Sequence, residues 1–226
     1  MRRYDFVFLV LSGFFVASLI LANATVFKFI DVPLPFVGLA TISVGVLPYP
    51  ITFLCTDLIS ELYGKKRADC VVLVGFLVSL YMLAVLQLGN ALPVSHLQDE
   101  AVQGHFVAVF GQSARAIVAS MAAYLLAQLV DVRLYHFWRK LTGGRHLWLR
   151  NNASTFLSQL IDTTAVVVIL FYGVWEWTQI GAVILASYTY KLLVAAADTP
   201  LMYAGTWLFR DIKEQSRKSG LIPEAA

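Results

Sequence analysis

Hydrophobic and polar positions along this chain fall into long blocks. Apolar runs occupy about 6–27, 42–63, 68–90, 112–135, 148–173 and 178–209. A helix needs roughly 20 predominantly apolar residues to cross the hydrocarbon core of a bilayer, and each run has that length. Barrel strands would instead alternate over about 10 residues, and an open sheet would strand its backbone polar groups in lipid. The pattern predicts an all-α integral membrane protein, a single domain over 1–226 with six transmembrane helices. Between the first two runs, residues 28–41 carry Pro33, Pro35 and Gly38 and lack a helical period. They predict a non-helical connection with room for a short extended excursion. Pro48 and Pro50 predict a kink or break near the middle of the second helix, which Gly64 ends. Asn90 and Pro93 close the third helix, and the polar stretch 94–111 separates it from the fourth. The first run follows Met1-Arg2-Arg3, but it is too long for a signal-peptide core and has no clean small-residue cleavage site, so it predicts a retained helix.

Composition agrees with this reading. Of 226 residues, 59% are hydrophobic and only 14% charged, where an average soluble domain carries about 25% charged residues. Mean hydropathy is +0.72. That excludes an ordinary soluble enzyme, a disordered chain and a nucleic-acid-binding module. The pI of 8.9 has another origin, visible once the cations are located. Fourteen of the 17 basic residues lie in one alternating set of loops: Arg2 and Arg3; Lys65, Lys66 and Arg67; Arg133, Arg139, Lys140, Arg145 and Arg150; Arg210, Lys213, Arg217 and Lys218. The opposite set holds only Lys28. By the positive-inside rule both termini are cytoplasmic. The chain's environment is the lipid bilayer, and its charge calls for no direct nucleic-acid partner.

Candidate chemistry is confined to polar residues inside the runs, where each charge costs about 2.5–3.5 kcal/mol on insertion scales. Asp57 and Glu61, four residues apart, share a face near the inner end of the second helix. Either they pair with the basic residues 65–67, Lys65 standing at i+4 from Glu61, or they face a ligand. In the fifth helix Asn152, Thr155, Gln159 and Asp162 form one stripe, flanked by Ser158 and Thr163. Neutral polar residues can join helices, but a carboxylate at mid-span points to a ligand. Gln128 and Asp131 of the fourth helix echo Gln159 and Asp162 without establishing a repeat. Lys191 of the sixth helix has two readings, a buried ion pair with Asp162 that fixes helix register, or a donor to a bound solute. Cys55 and Cys70 have no metal-ligand spacing, and no histidine pairs with another at i+4, so no cofactor or metal is expected. No nucleophile–base pair supports an enzyme. The default for a charged helical interior is transport of a small polar solute.

Several segments resemble the queuosine precursor transporter family. They are the block from Pro50 through Thr56-Asp57, Glu61 and Tyr63-Gly64-Lys65-Lys66-Arg67, the Gln128–Asp131 segment, the run Asn152-Ala-Ser-Thr155 into Ser158-Gln159-Leu-Ile-Asp162-Thr163, and Tyr190-Lys191 with Thr199-Pro200. The resemblance covers about 6–209. It implies a bacterial inner-membrane importer of 7-deazaguanine bases, chiefly preQ0 and preQ1, for tRNA modification. It also implies a fold similar to the substrate-binding subunits of energy-coupling-factor vitamin transporters. The substrate would then be a small purine-like molecule. Its ring N–H and exocyclic amine lie side by side, and one carboxylate can accept both in charge-assisted bonds. On this reading Asp162 and Gln159 read the base. Asp57, Glu61 and Lys191 complete or gate the pocket, and Asn152, Thr155 and Gln128 contribute further polar contacts. Phe53, Tyr124 and Phe156 are candidates for aromatic walls. Two rival readings stay open: a binding subunit that needs a separate ATPase module, and a membrane scaffold whose polar stripes only join helices. A homo-oligomer also stays open, although no GxxxG face supports one.

Overall fold

The computed structural model describes residues 3–35, 38–111, 113–141 and 147–220. Eight helices and one hairpin follow in order: α1 (Arg3–Thr25), β1 (Phe29–Leu34), β2 (Gly38–Ser43), a 3-10 turn (Val44–Val46), α2 (Tyr49–Tyr63), α3 (Lys65–Ala91), α4 (Ala101–Phe110), α5 (Ser113–Leu141), α6 (Leu147–Phe171), α7 (Trp177–Leu208) and α8 (Arg210–Lys218). Among the described residues, four helical stretches are long and apolar enough to cross a membrane: Arg3–Thr25, Lys65–Ala91, Ala101–Tyr124 and Trp177–Leu208. Phe156–Phe171 within α6 is a shorter apolar stretch. Large apolar side chains such as Phe6, Leu9 and Phe14 on α1, and Leu73, Leu77 and Leu88 on α3, stand exposed. Such faces are stable only against lipid or a partner. The protein is a multi-pass membrane protein.

Three stretches differ from the pattern read along the chain. The second apolar run, 42–63, is not one kinked helix. Its first residues complete β2 and the 3-10 turn, and α2 begins only at Tyr49, with Pro48 as N-cap and Pro50 in its first turn. Proline lacks an N–H that the first turn would leave unpaired anyway, so here the two prolines start a helix instead of bending one. The resulting 15 residues measure about 22 Å at 1.5 Å per residue. The stretch 94–111, expected as a polar connection, contains α4. Beyond the sixth run the chain forms α8.

The connection 28–41 does make an extended excursion. Its two strands pair antiparallel, with Ile30 opposite Ile42, Asp31 opposite Thr41 and Val32 opposite Ala40. Side chains alternate across the pleat. Leu34, Ala40 and Ile42 are buried with Ala186, while Ile30, Val32 and Tyr190 pack around them. On the opposite face the Thr41 hydroxyl donates to Asp31 Oδ1 at 2.6 Å. Gly38, at φ +79°, opens the return strand in a conformation that costs glycine little.

The chain divides into two compact units, each built from discontinuous segments. The first comprises 1–28, 44–86 and 193–226. Its core is formed by Tyr4, Val7 and Phe15 of α1, by Cys55, Leu58, Ile59, Leu62 and Tyr63 of α2, and by Ala68, Val71 and Ile212. Tyr63 donates its hydroxyl to the Tyr4 carbonyl at 2.8 Å, and the two rings meet edge to face with centroids 4.9 Å apart. The Arg67 guanidinium lies 5.1, 5.5 and 5.8 Å from the rings of Tyr4, Phe8 and Tyr63, so a basic residue in the first turn of α3 serves as a cation–π clasp. Tyr63→Phe is expected to remove this second bond to the Tyr4 carbonyl and to cost about 1 kcal/mol. The check is thermal melting in detergent, where uptake by the surviving folded protein should be unchanged.

The second unit comprises 29–43 and 87–192. Within it Arg115 of α5 reaches the end of α6, donating from Nε to the Ile169 carbonyl and from a terminal nitrogen to the Tyr172 carbonyl, both at 3.0 Å. This cation caps a helix C-terminus, where unpaired carbonyls and the dipole favour positive charge. Phe171 stacks on Trp175 at 4.0 Å, and Phe29 packs edge-on against both.

Candidate functional site

The most polar buried locus in the described structure lies in the second unit, between α6 and the first half of α7. Lys191 Nζ donates to Asp162 Oδ2 at 2.8 Å, and the two side chains are only 7% and 6% exposed. Two full charges so far from water are retained only when paired and supported by further polar groups. Those groups are present: Ser158, Gln159 and Thr163 of α6 and Ser187 of α7 are all buried. A second tie joins the same helices, the Tyr188 hydroxyl donating to the Phe156 carbonyl at 3.2 Å.

Gln159 Oε1 and Thr163 Oγ1 are shielded from solvent and have no hydrogen-bond partner among the described residues. They stand four residues apart, on one face of α6, and Asp162 follows Gln159 by three. Most buried polar atoms in folded proteins are satisfied, so these two oxygens keep hydrogen-bonding capacity beside a buried ion pair. The available chemistry is a carboxylate and an amide oxygen to accept, with an ammonium to donate.

The expected site residues separate between the two units. Gln159, Asp162 and Lys191 are brought together. Asn152 and Thr155 lie on α6 and Gln128 on α5, but their side chains fall outside the described residues. Asp57 and Glu61 belong to the first unit. Glu61 there takes an ion pair from Lys213 of α8, not from Lys65, the partner that the i+4 spacing suggested. Asp57 is exposed on α2 and has an interaction partner of its own. Of the aromatic candidates, Phe156 is 43% exposed and Phe53 packs on Tyr49. Thr163 and Ser187 were not singled out as site residues from the chain, although Thr163 flanks the polar stripe. That its hydroxyl is shielded from solvent, with no partner among the described residues, appears only in the folded state.

A family model described as "Putative vitamin uptake transporter" matches residues 43–205. That stretch contains α2 to most of α7, with the Asp162–Lys191 pair inside it. The chain is 30% identical over 165 residues to the "Probable queuosine precursor transporter" of Bacillus subtilis (strain 168), covering 73% of this chain and 71% of that one. The chain belongs to the queuosine precursor transporter family. It is also 28% identical over 200 residues to the "Queuosine precursor transporter" of Escherichia coli (strain K12), covering 84% and 83% of the two chains. A relative from Haemophilus influenzae is 29% identical over 160 residues, covering 66% of this chain and 62% of its own. No solved structure matches the chain. The protein is therefore a membrane transporter and not an enzyme.

Proposed function

We propose that this protein imports queuosine precursors, the 7-deazaguanine bases preQ0 and preQ1, across the bacterial inner membrane for tRNA modification. It does so as a single six-span domain with both termini in the cytoplasm, in a fold similar to the substrate-binding subunits of energy-coupling-factor transporters. The observation that carries the reading is the buried Asp162–Lys191 pair with the unsatisfied Gln159 oxygen one turn away, in a chain of this family. A deazaguanine edge offers a ring N–H and an amine to Asp162 and Gln159, and its ring carbonyl accepts from Lys191. Those bonds are charge-assisted and act in a dry site, where they gain strength. Asn152, Thr155 and Gln128 complete the polar contacts.

The test is the queuosine content of tRNA in cells that neither make nor import preQ0, supplied with this protein and nanomolar preQ0 or preQ1. Queuosine should return with the protein and stay absent without it. No return with either base, despite protein in the membrane, would overturn the reading. Gln159→Leu separates recognition from structure. It replaces a buried, unpaired acceptor with an apolar side chain of similar size, so stability should hold or rise, while uptake at limiting base should fall roughly tenfold or more. A residue that only joined helices would show the reverse.

A further inference from the structure

A second polar feature lies in the first unit, where α7 gives way to α8. Here a cavity of about 310 Å³ is lined by Tyr203 and Trp207 of α7 and by Arg210, Lys213, Glu214 and Arg217 of α8. Its setting follows from the fold. Ile212 and Ser216 turn the inner face of α8 into the protein: Ile212 joins the core, and the Ser216 hydroxyl shares a 3.2 Å hydrogen bond with that of Tyr4. Residues 210, 213, 214 and 217 occupy the opposite face of the same helix. Arg3 and Asp211 form a 3.1 Å ion pair that holds the start of α8 to α1. The cationic face is thus fixed directly beyond the last residues of a 32-residue apolar helix, the level at which a spanning helix leaves the hydrocarbon. Trp207 and Tyr203, each 72% exposed, have the amphipathic rings typical of that level.

The charges in the cavity do not balance. Lys213 is engaged by Glu61, which leaves Arg210 and Arg217 facing the single carboxylate of Glu214. One positive charge remains over, and a phospholipid phosphodiester carries one negative charge. Arg217 Nε is shielded from solvent and lacks a hydrogen-bond partner among the described residues. Guanidinium forks match phosphate oxygens in charge-assisted bonds. We propose that this cavity binds the phosphate of an anionic phospholipid from the adjoining leaflet, with the exposed Trp207 and Tyr203 rings resting at the base of its acyl chains.

The test uses the full chain, purified into nanodiscs that contain phosphatidylcholine with increasing phosphatidylglycerol. Retained lipid is counted by native mass spectrometry. The parent should retain phosphatidylglycerol selectively, and R210Q/R217Q should lower that selectivity roughly tenfold. K65Q/K66Q removes the same charge from exposed positions outside the cavity and should change it little. If R210Q/R217Q does not fold, Arg217→Lys decides: it keeps the charge, removes the fork, and should lower selectivity about threefold. Equal retention by the parent and whichever of these cavity variants folds would overturn the proposal. So would an equal loss in K65Q/K66Q, which would mean unspecific attraction to an anionic surface. Complete displacement of the lipid by millimolar inorganic phosphate would also overturn it, by making the cavity a site for a soluble anion.

Discussion

Asp162→Asn is expected to abolish queuosine precursor uptake and to lower stability in the same protein. In the folded chain Asp162 accepts from Lys191 at 2.8 Å, with both side chains buried. Removing the carboxylate's charge leaves the buried ammonium without its Asp162 counter-charge. Breaking one side of such a pair typically costs about 3–5 kcal/mol, whereas replacing both sides with neutral groups of similar volume is often neutral. The asymmetry separates two roles that the single variant would confound. In the double variant Asp162→Asn/Lys191→Met, melting in detergent should return most of the way to the parent value. Uptake, read as tRNA queuosine at nanomolar base, should stay absent. If uptake returned with stability, the pair would serve only to fix the register of α6 against α7, and substrate recognition would have to lie elsewhere.

Gly75→Leu is expected to leave little folded protein, for a reason unrelated to transport. A Cβ at position 75 of α3 would lie 2.6 Å from Phe15 Cε1 and 3.1 Å from Leu19 Cδ2 of α1. Phe15 is itself 5% exposed in the core, so its ring has little room to withdraw. Small residues at such crossings let helix backbones approach closely in membranes. Two effects oppose each other in the milder variant Gly75→Ala. Helix propensity favours alanine by about 0.8–1 kcal/mol, and overpacking a filled core costs about 1–3 kcal/mol. Overpacking should win narrowly for alanine and decisively for leucine. Phe15→Leu introduced beside Gly75→Ala should recover most of the loss, because it withdraws the ring the new methyl meets. A thermal-melting double-mutant cycle with no coupling between positions 15 and 75 would refute this account of the contact.

The two results would bear on different layers of the protein, and the layers were unequally legible along the chain. Blocks of apolar residues marked the membrane-crossing helices because lipid leaves the backbone no partner but itself. The stripe through Gln159 and Asp162 was visible for the same reason that any helical face is, its three-and-four spacing. The hairpin was half visible: prolines and a glycine excluded helix, while the period-two burial of Leu34, Ala40 and Ile42 needed Ala186 and Tyr190 to give it a buried side. The prolines at 48 and 50 misled, since proline breaks a helix interior but opens a helix end, and only the return of the hairpin decides which position they occupy. Within the candidate site, the notion that Lys191 pairs with Asp162 was one of two readings from the chain, and the 2.8 Å contact realises it. Glu61 went to Lys213, 152 residues away, because a partner on a packed neighbouring helix can be better placed than one four residues along.

The chain by itself determined the solvent this protein lives in, the helical answer to it, and the few polar residues whose cost in that solvent demands a use. Each of those follows from the properties of single residues and their nearest neighbours in sequence. Tertiary structure alone decided which charges meet, which polar atoms of α6 are buried, and that Arg67 and Arg115 serve as a cation–π clasp and a helix cap. Those outcomes depend on distances between segments remote in sequence, and packing sets such distances where no local spacing can.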